Sequence, residues 1–506
     1  MSLSRRDVLV CLSLANLSLL EVWRRIGFAN RYLLPLWTWR DIVAAAVLLV
    51  LLTVLFCGMV RLGRTPRLRA LAIDRWIFLV PAIVFANIFR QQFPTWRDRL
   101  LQDKYLGAYA ALLALLALLA MGRYAGRIAH LAEAAALCAL PFLPLSLVEN
   151  TWIVATQPPR APAVERLPAR PGSPRFIWIV FDETDWHYVD PATRPADLAL
   201  PEFDRMMAQS IVPQQAIQSG LQTAGAMPTL IYGQGVEVGL IGGNGKLLTV
   251  GAGRDGADWT QRPNIFSRIR ARGLNTSVDG WYLPYCRIFA RDLSDCYWEA
   301  IDTRVKGFDP SFSASFVSGL RSLSPLGERQ RHLRRYQALE RESITDAIDP
   351  TLNLVLLHLP VPHEPAIYDR KSGRFTVFNF RTDWYLDNLA LADRTLGDIR
   401  RAMEKAGQWD RSTVLVTSDH GLRWYAPWHE TTSPRIPYLL KLPGQRAGRP
   451  YTPVLHTILT ADLIEAVLSG QIRDPDQAVS WLDARSQARA DAKLRAGALS
   501  ANSHSH

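Results

Sequence analysis

Up to Val148, apolar positions come in long unbroken runs. Beyond it they come in short runs separated by polar and Gly- or Pro-rich segments. "IVAAAVLLVLLTVLFCGMV" (Ile42 to Val60) carries no charge and is long enough to cross a bilayer as a helix. "YLGAYAALLALLALLAMG" (Tyr105 to Gly122) nearly matches it. Three shorter runs, Val8 to Leu20, Trp76 to Phe89 and roughly Ala134 to Val148, suit tilted, snorkelling or interfacial helices. Trp23, Trp37, Trp39, Trp76 and Trp152 stand near run ends, as interfacial aromatics do. The pattern predicts an α-helical transmembrane anchor of about five helices over residues 1–154. Its first run is no removable signal peptide, because more spans follow. Arg residues flank most spans on both sides and leave the orientation open.

Between Ala155 and Arg175 lie six prolines, which predict a stiff, extended linker. From 176 to about 472 the texture is that of a soluble domain. "FIWIVF" (Phe176 to Phe181), "NLVLLHL" and "STVLV" read as buried strands. "WYLDNLALADRTLGDIRRAMEKAG" (Trp384 to Gly407) repeats apolar residues three and four apart and reads as a helix. Strands alternating with helices predict an α/β domain with a mostly parallel central sheet between helices. Residues 473–506 read as a polar, Ala-rich tail, a frayed helix followed by disorder.

Composition sharpens this picture in two places. The chain of 506 residues is 49% hydrophobic with a net charge of +12. That charge would suit nucleic acid, but the Arg residues cluster between apolar runs, so anionic lipid headgroups are the better partner and no nucleic acid is expected. Cys11, Cys57 and Cys138 lie in the apolar runs and read as packing. Cys286 and Cys296 are the soluble pair, ten residues apart. They are either a disulfide, which would mean an oxidising compartment, or two unrelated thiols; an exported domain favours the disulfide.

The chemistry gathers at strand ends, where ligands bind in open α/β sheets. "VTSDHG" places Asp419 and His420 after "STVLV", and "FIWIVFDETDW" places Asp182 and Glu183 after the first strand. "SGLQTAGAMPTLIYG" carries Thr223 in a small, Gly-flanked stretch where it could start a helix. "LVLLHLPVPHEPAIY" sets His358 and His363 five apart beyond another strand. Singly, each is weak: Thr223 could be an N-cap and Asp182 a turn residue. Together they offer the mixed O/N donors that divalent metals take, with a hydroxyl that a metal would activate as a nucleophile.

In this order, with "YLDNLALADRTLG" and "RIPYLLKLPG" completing it, the set resembles the alkaline phosphatase superfamily, sulfatase-like branch. With its anchor and linker, the chain is similar to the membrane-anchored phosphoethanolamine transferases and the lipoteichoic acid synthases, which are phosphoglycerol transferases. The resemblance covers residues 175 to 472 and, more loosely, the anchor. It implies that Glu183, Thr223, Asp419 and His420 hold the metal, with Asp182 ranked below Glu183. Thr223 matches the nucleophile, and Pro228 follows it five residues on. His363 matches the His that contacts the transferred phosphoryl group, and His358 keeps its partner's spacing. The metal implied is zinc, with manganese chemically open to the same donors.

Three departures qualify the resemblance. "TAGAMPT" lacks the Cys or Ser and the Arg of the sulfatase C/S-x-P-x-R motif, which argues against sulfate ester hydrolysis. Arg435 stands where the transferases carry a His; it would grip phosphate bidentately, and His429 could take the His role or be a plain loop residue. The multi-disulfide pattern of the phosphoethanolamine transferases is absent. Trp281, Tyr282 and Arg287 could line a headgroup pocket, or the two aromatics could simply pack. The function implied is a metal-dependent transfer of a phosphoryl-headgroup, phosphoethanolamine or phosphoglycerol, from a membrane phospholipid through Thr223 to an envelope glycan or lipid acceptor. The location implied is multi-pass in a bacterial inner membrane, with the catalytic domain facing the periplasm. Hydrolysis as a phosphodiesterase or sulfatase-like enzyme, and a non-catalytic membrane scaffold, are the alternatives.

Overall fold

The computed structural model describes residues 3–20, 39–67, 125–156, 172–236, 262–299, 327–379, 383–422 and 433–486, with shorter stretches between them. Contacts divide the chain into two compact units, one built mainly from Met1–Pro159 and the other holding the whole central sheet.

The first unit is helical. Helix α1 (Arg5–Ser18) begins at a Ser4/Asp7 capping box, in which each side chain satisfies the other residue's backbone N–H. It spans about 21 Å at 1.5 Å per residue, too short to cross a bilayer alone. Helix α2 (Trp39–Gly63) covers the first long apolar run. Helices α3 (Ala125–Ala139) and α4 (Phe142–Ala155) follow. Val10, Leu14, Ile42, Leu49 and Phe56 are among the side chains buried in the core of this unit. Val50, Val54 and Leu55 on α2, and Leu145, Val148 and Trp152 on α4, are exposed. Among the described residues, two stretches are long and apolar enough to cross a membrane, Trp39–Gly63 and His130–Ala155. Two of the five expected spans therefore have long apolar counterparts among the described residues. The run from Trp76 to Phe89 is described only in part, as a 3₁₀ turn over Ile73–Phe78 and two further residues, and Tyr105 to Gly122 lies almost wholly outside the described residues.

The second unit is the expected α/β domain. The eight strands of its central sheet are β1 (Arg175–Phe181), β2 (Ile211–Pro213), β3 (Thr276–Trp281), β4 (Asp295–Glu299), β5 (Leu354–Leu359), β6 (Ser412–Thr417), β7 (Tyr438–Lys441) and β8 (Arg449–Tyr451). They lie in the order β8-β2-β7-β6-β1-β5-β3-β4. Only β7 runs against its neighbours. Every residue of β1, β5 and β6 is buried, which explains their unbroken apolar runs: a central strand covered on both faces has no solvent side to mark with polar residues. Register sets the site. His358 on β5 pairs with Val180, and Val180 with Thr417 on β6, so the ends of all three strands stand level.

Helix α5 (Pro201–Met207), α6 (Thr223–Tyr232), the short α7 (Tyr285–Ile288), α8 (Gly327–Ile348), α9 (Trp384–Lys405) and α10 (Thr460–Leu468) complete the elements used below. The predicted linker is not a free spacer where it is described: Arg166 pairs with Asp295 and Asp349, and the Leu167 N–H donates to Asn275 Oδ1. The expected tail also differs. Residues 475–486 form a helix that buries Ala478, Trp481 and Leu482.

Candidate functional site

The chain turns sharply where β1 ends. Asp182 N–H still bonds the Leu359 carbonyl, but Glu183 sits at φ 68°, a left-handed conformation uncommon for a residue with a Cβ. Neighbours hold it there. Glu183 N–H donates to Asp419 Oδ1 at 3.1 Å, and Tyr385 Oη on α9 donates to the Glu183 carbonyl at 2.9 Å while accepting the Asp185 N–H at 3.1 Å. Ser418 Oγ accepts the Thr184 N–H at 2.8 Å and lies 2.7 Å from the carbonyls of Phe181 and His420. The two strand ends are therefore tied to each other before any ligand is considered. Gly421 sits in a tight place: a Cβ there would meet Asp185 Oδ2 at 3.1 Å and the Ser433 carbonyl at 3.2 Å, so these neighbours would have to give by a few tenths of an ångström.

Inside this frame, Asp182, Glu183, Asp419, His358 and His420 are fully buried and Thr223 nearly so. His420 Nε2 lies 3.4 Å from Asp419 Oδ2, 3.6 Å from Asp182 Oδ1 and 3.4 Å from Thr223 Oγ1. His358 Nε2 lies 4.0 Å from Asp182 Oδ2, and His363 Nε2 lies 4.0 Å from Glu183 Oε2. One ligand atom each from Asp182, His358 and Asp419 falls within 4.8 Å of the others. Asp182, ranked below Glu183 on the sequence, is the carboxylate of that pair in this close group; Glu183 faces His363 instead. The positive φ at Glu183 turns the backbone between the two side chains.

Two of the imidazoles share one arrangement. His420 Nδ1 lies 2.8 Å from the Gly421 carbonyl and His363 Nδ1 2.7 Å from the Glu364 carbonyl. A carbonyl only accepts, so each Nδ1 carries the hydrogen, and in the neutral ring each Nε2 presents a lone pair. Burial pushes the His358 ring down to about 4, so it is neutral near pH 7. Its Nε2 has no hydrogen-bond partner among the described residues. Lone pairs facing carboxylates at these distances repel unless a cation lies between them, so this donor set fits a divalent metal. Asp185, behind Gly421, is pushed up to about 6 by burial against the amides of His187 and Leu422.

Thr223 is the first residue of α6, with Gln222 as the extended N-cap, so its hydroxyl stands at a helix N-terminus that favours anionic groups. Pro228 is buried inside the same helix. Trp281, at the end of β3, is buried and meets the His363 ring edge-on at 5.2 Å; Tyr282 packs on Trp281 at φ 67°. Arg287 is half-buried on α7. Arg435 lies outside the carboxylate–imidazole group: its Nε reaches Ser433 Oγ at 3.4 Å, and it lines a cavity of about 410 Å³ with Trp186, Asp190 and Gln214. His429 lies outside the described residues. Sequence reasoning missed Tyr385, Ser418 and Tyr285, whose hydroxyl lies 2.7 Å from His358 Nδ1. Cys286 and Cys296 form a disulfide.

The Sulfatase family model matches residues 342–469, the segment that contains α9, β5, β6 and the Asp419–His420 pair. Among solved structures, the PsFucS1 sulfatase from Pseudoalteromonas sp. is 14% identical, with 61% of this chain and 72% of that one covered at a TM-score of 0.43. A protein in the alkaline phosphatase superfamily from Vibrio parahaemolyticus is 13% identical, with 62% and 71% covered at 0.39. The phosphonate monoester hydrolase from Silicibacter pomeroyi is 13% identical, with 58% and 73% covered at 0.37. No curated protein sequence matches this chain.

Proposed function

We propose that this sulfatase-like domain of the alkaline phosphatase superfamily is a metal-dependent transferase that moves a phosphoryl-headgroup, phosphoethanolamine or phosphoglycerol, from a membrane phospholipid through a covalent adduct on Thr223. The observation that carries the reading is the approach of Thr223 Oγ1, at the start of α6, to 3.4 Å from His420 Nε2. A nucleophile needs a base within reach and an anion-favouring place for its target, and Thr223 has both.

Asp182, His358 and Asp419 would hold the metal, zinc first and manganese second, with Glu183 and His420 at its margin. When bound, such an ion supplies Lewis-acid charge to the phosphoryl oxygens. The steps then belong to the chain's own groups. His420 Nε2 takes the Thr223 proton. Thr223 Oγ1 forms a bond to phosphorus, the bond to the diacylglycerol oxygen breaks, and that oxygen leaves as an alcohol by taking the proton that His420 received from Thr223. His363, held beside Glu183, balances charge on the non-bridging oxygens, and Arg435, which lies outside the group, takes no part in this step. Trp281, Tyr282 and Arg287 take the headgroup. An acceptor hydroxyl on an envelope glycan or lipid then attacks phosphorus and frees Thr223.

The apolar helices Trp39–Gly63 and His130–Ala155, with apolar side chains facing outward, support a membrane anchor that keeps the enzyme beside its donor lipid. The Cys286–Cys296 disulfide supports a domain outside the cytoplasm, on the periplasmic side of a bacterial inner membrane. Hydrolysis, with water as the acceptor, is the second reading, favoured by the Sulfatase family match.

Intact mass of the detergent-purified chain, after incubation with mixed phospholipids, tests these readings together. An added phosphoethanolamine or phosphoglycerol mass in wild type, absent from Thr223→Ala, is the expected result. Equal adducts in both proteins would remove Thr223 from the mechanism. Released headgroup phosphate, without acceptor dependence, would decide for hydrolysis. Neither adduct nor release, with metal bound, would leave the scaffold.

A further inference from the structure

His420 and His363 have their tautomers dictated by backbone carbonyls. His358 does not. Its Nδ1 faces the Tyr285 hydroxyl at 2.7 Å, and a hydroxyl can donate or accept. If Tyr285 donates, Nε2 must carry the hydrogen and cannot act as a ligand. If Tyr285 accepts, Nδ1 carries it and Nε2 presents its lone pair to Asp182, 4.0 Å away. With the Asp182 and Asp419 carboxylates nearby, a cation between them and Nε2 favours the second arrangement.

Tyr285 is built to stay in place. It is fully buried. Its ring fills the space left by Gly280 on β3, where a Cβ would lie 2.5 Å from the ring atoms. It stacks on Phe289 with centroids 6.3 Å apart and meets His358 edge-on at 5.9 Å. Its backbone belongs to α7, a single turn joined to β4 by the disulfide of the next residue, Cys286, with Cys296.

We propose that Tyr285 is a positioning residue for the metal: by accepting the Nδ1 hydrogen of His358 it fixes that ring with Nε2 turned toward Asp182 and Asp419. The proposal rests on the reading of His358 as a metal-holding group. It assigns work to a loop that sequence reasoning gave only to substrate recognition.

The test is Zn²⁺ affinity of the metal-stripped, detergent-purified full chain, titrated against a chromophoric chelator. Wild type, Tyr285→Phe and His358→Gln are compared, with Co²⁺ absorption spectra recorded beside them. Tyr285→Phe keeps the ring and removes only the hydroxyl. It is expected to bind Zn²⁺ about 10- to 100-fold more weakly, as loss of an outer hydrogen bond to a ligand histidine does, with a shifted Co²⁺ d–d band and unchanged melting of the metal-free protein. His358→Gln is expected to lose at least as much. If His358→Gln weakens binding and Tyr285→Phe does not, the Tyr285 role is overturned and the metal reading stands. If His358→Gln binds as tightly as wild type, or wild type binds no Zn²⁺, both fall. Weaker binding in Tyr285→Phe with an unshifted Co²⁺ band and lowered metal-free melting would make the hydroxyl a packing element only, and would also overturn the proposal.

Discussion

Asp182 and Asp419 are buried facing imidazole nitrogens, whereas Asp393, buried in the same domain, and the partly buried Glu202 beside it face N–H donors. Arg400 grips both Glu202 oxygens, at 2.8 and 3.0 Å, and Asp393 Oδ1 accepts the N–H groups of Glu202 and Phe203 at the start of α5. In the second group every negative oxygen named has a hydrogen aimed at it, and the group locks α5 onto α9. In the first, Asp419 Oδ1 accepts the Glu183 and His420 N–H groups, but Asp419 Oδ2 and the Asp182 oxygens face imidazole Nε2 atoms, where a cation from outside the chain fits. Burial alone does not distinguish function from structure; what the buried oxygens face does.

The largest effect should come from breaking the first group. Asp419→Asn keeps the shape but removes a charge that His420 and His358 both face. Turnover should fall to background and Zn²⁺ binding with it, while the fold persists. A chelator should lower the melting temperature of wild type and leave Asp419→Asn unmoved, because only a protein that binds the ion is stabilised by it. A variant that still turned over at the wild-type rate would sink the comparison from this side.

Breaking the second group should do the reverse. Arg400→Leu removes the bidentate partner of the partly exposed Glu202 and leaves it Arg401 and Arg205, a loss of about 1 kcal/mol. Denaturant unfolding in detergent should show that loss, and Zn²⁺ affinity should stay at the wild-type value. Equal loss of affinity in this variant would mean that the two acidic groups are not separable.

Much of this was legible before folding, and for physical reasons. Central strands buried on both faces write themselves as apolar runs, so β1, β5 and β6 were read directly, and the residues that follow β1 and β6 fell on their strand ends. The three- and four-residue spacing of α9 gave Trp384 to Gly407 against an observed Trp384–Lys405. What stayed hidden depends on contacts far apart in sequence or on one torsion. Tyr285 meets His358 across 73 residues and Tyr385 meets Glu183 across 202, and neither pair has a local signature. The different directions taken by Asp182 and Glu183 follow a single positive φ. The helix over 475–486 looks frayed in the sequence, and its packing is hidden there, because Ala478, Trp481 and Leu482 make a thin apolar stripe in a polar stretch.

The smallest effect separates the two members of the second group by the sign of their pH dependence. Burial pushes Asp393 up to about 7 from the ordinary 3.8, although the Phe203 and Glu202 amides pull the other way. Between those values the folded chain keeps a proton that the unfolded chain has lost. The stability tied to that proton is complete below about pH 3.8 and disappears as pH rises to about 7. Glu202 behaves oppositely: the Arg400 hydrogen bond lowers its pKa, so its contribution is present at neutral pH and fades as pH falls through the lowered value. Asp393→Asn still offers an oxygen to the two amides and cannot ionise. Melting temperatures measured from about pH 4 to pH 8 should therefore show wild type losing ground to Asp393→Asn as pH rises, with the variant at least as stable at the alkaline end. Parallel curves for the two proteins would show that Asp393 is ionised in the fold, held by its two amides as firmly as Glu202 is held by Arg400, and the distinction within that group would disappear.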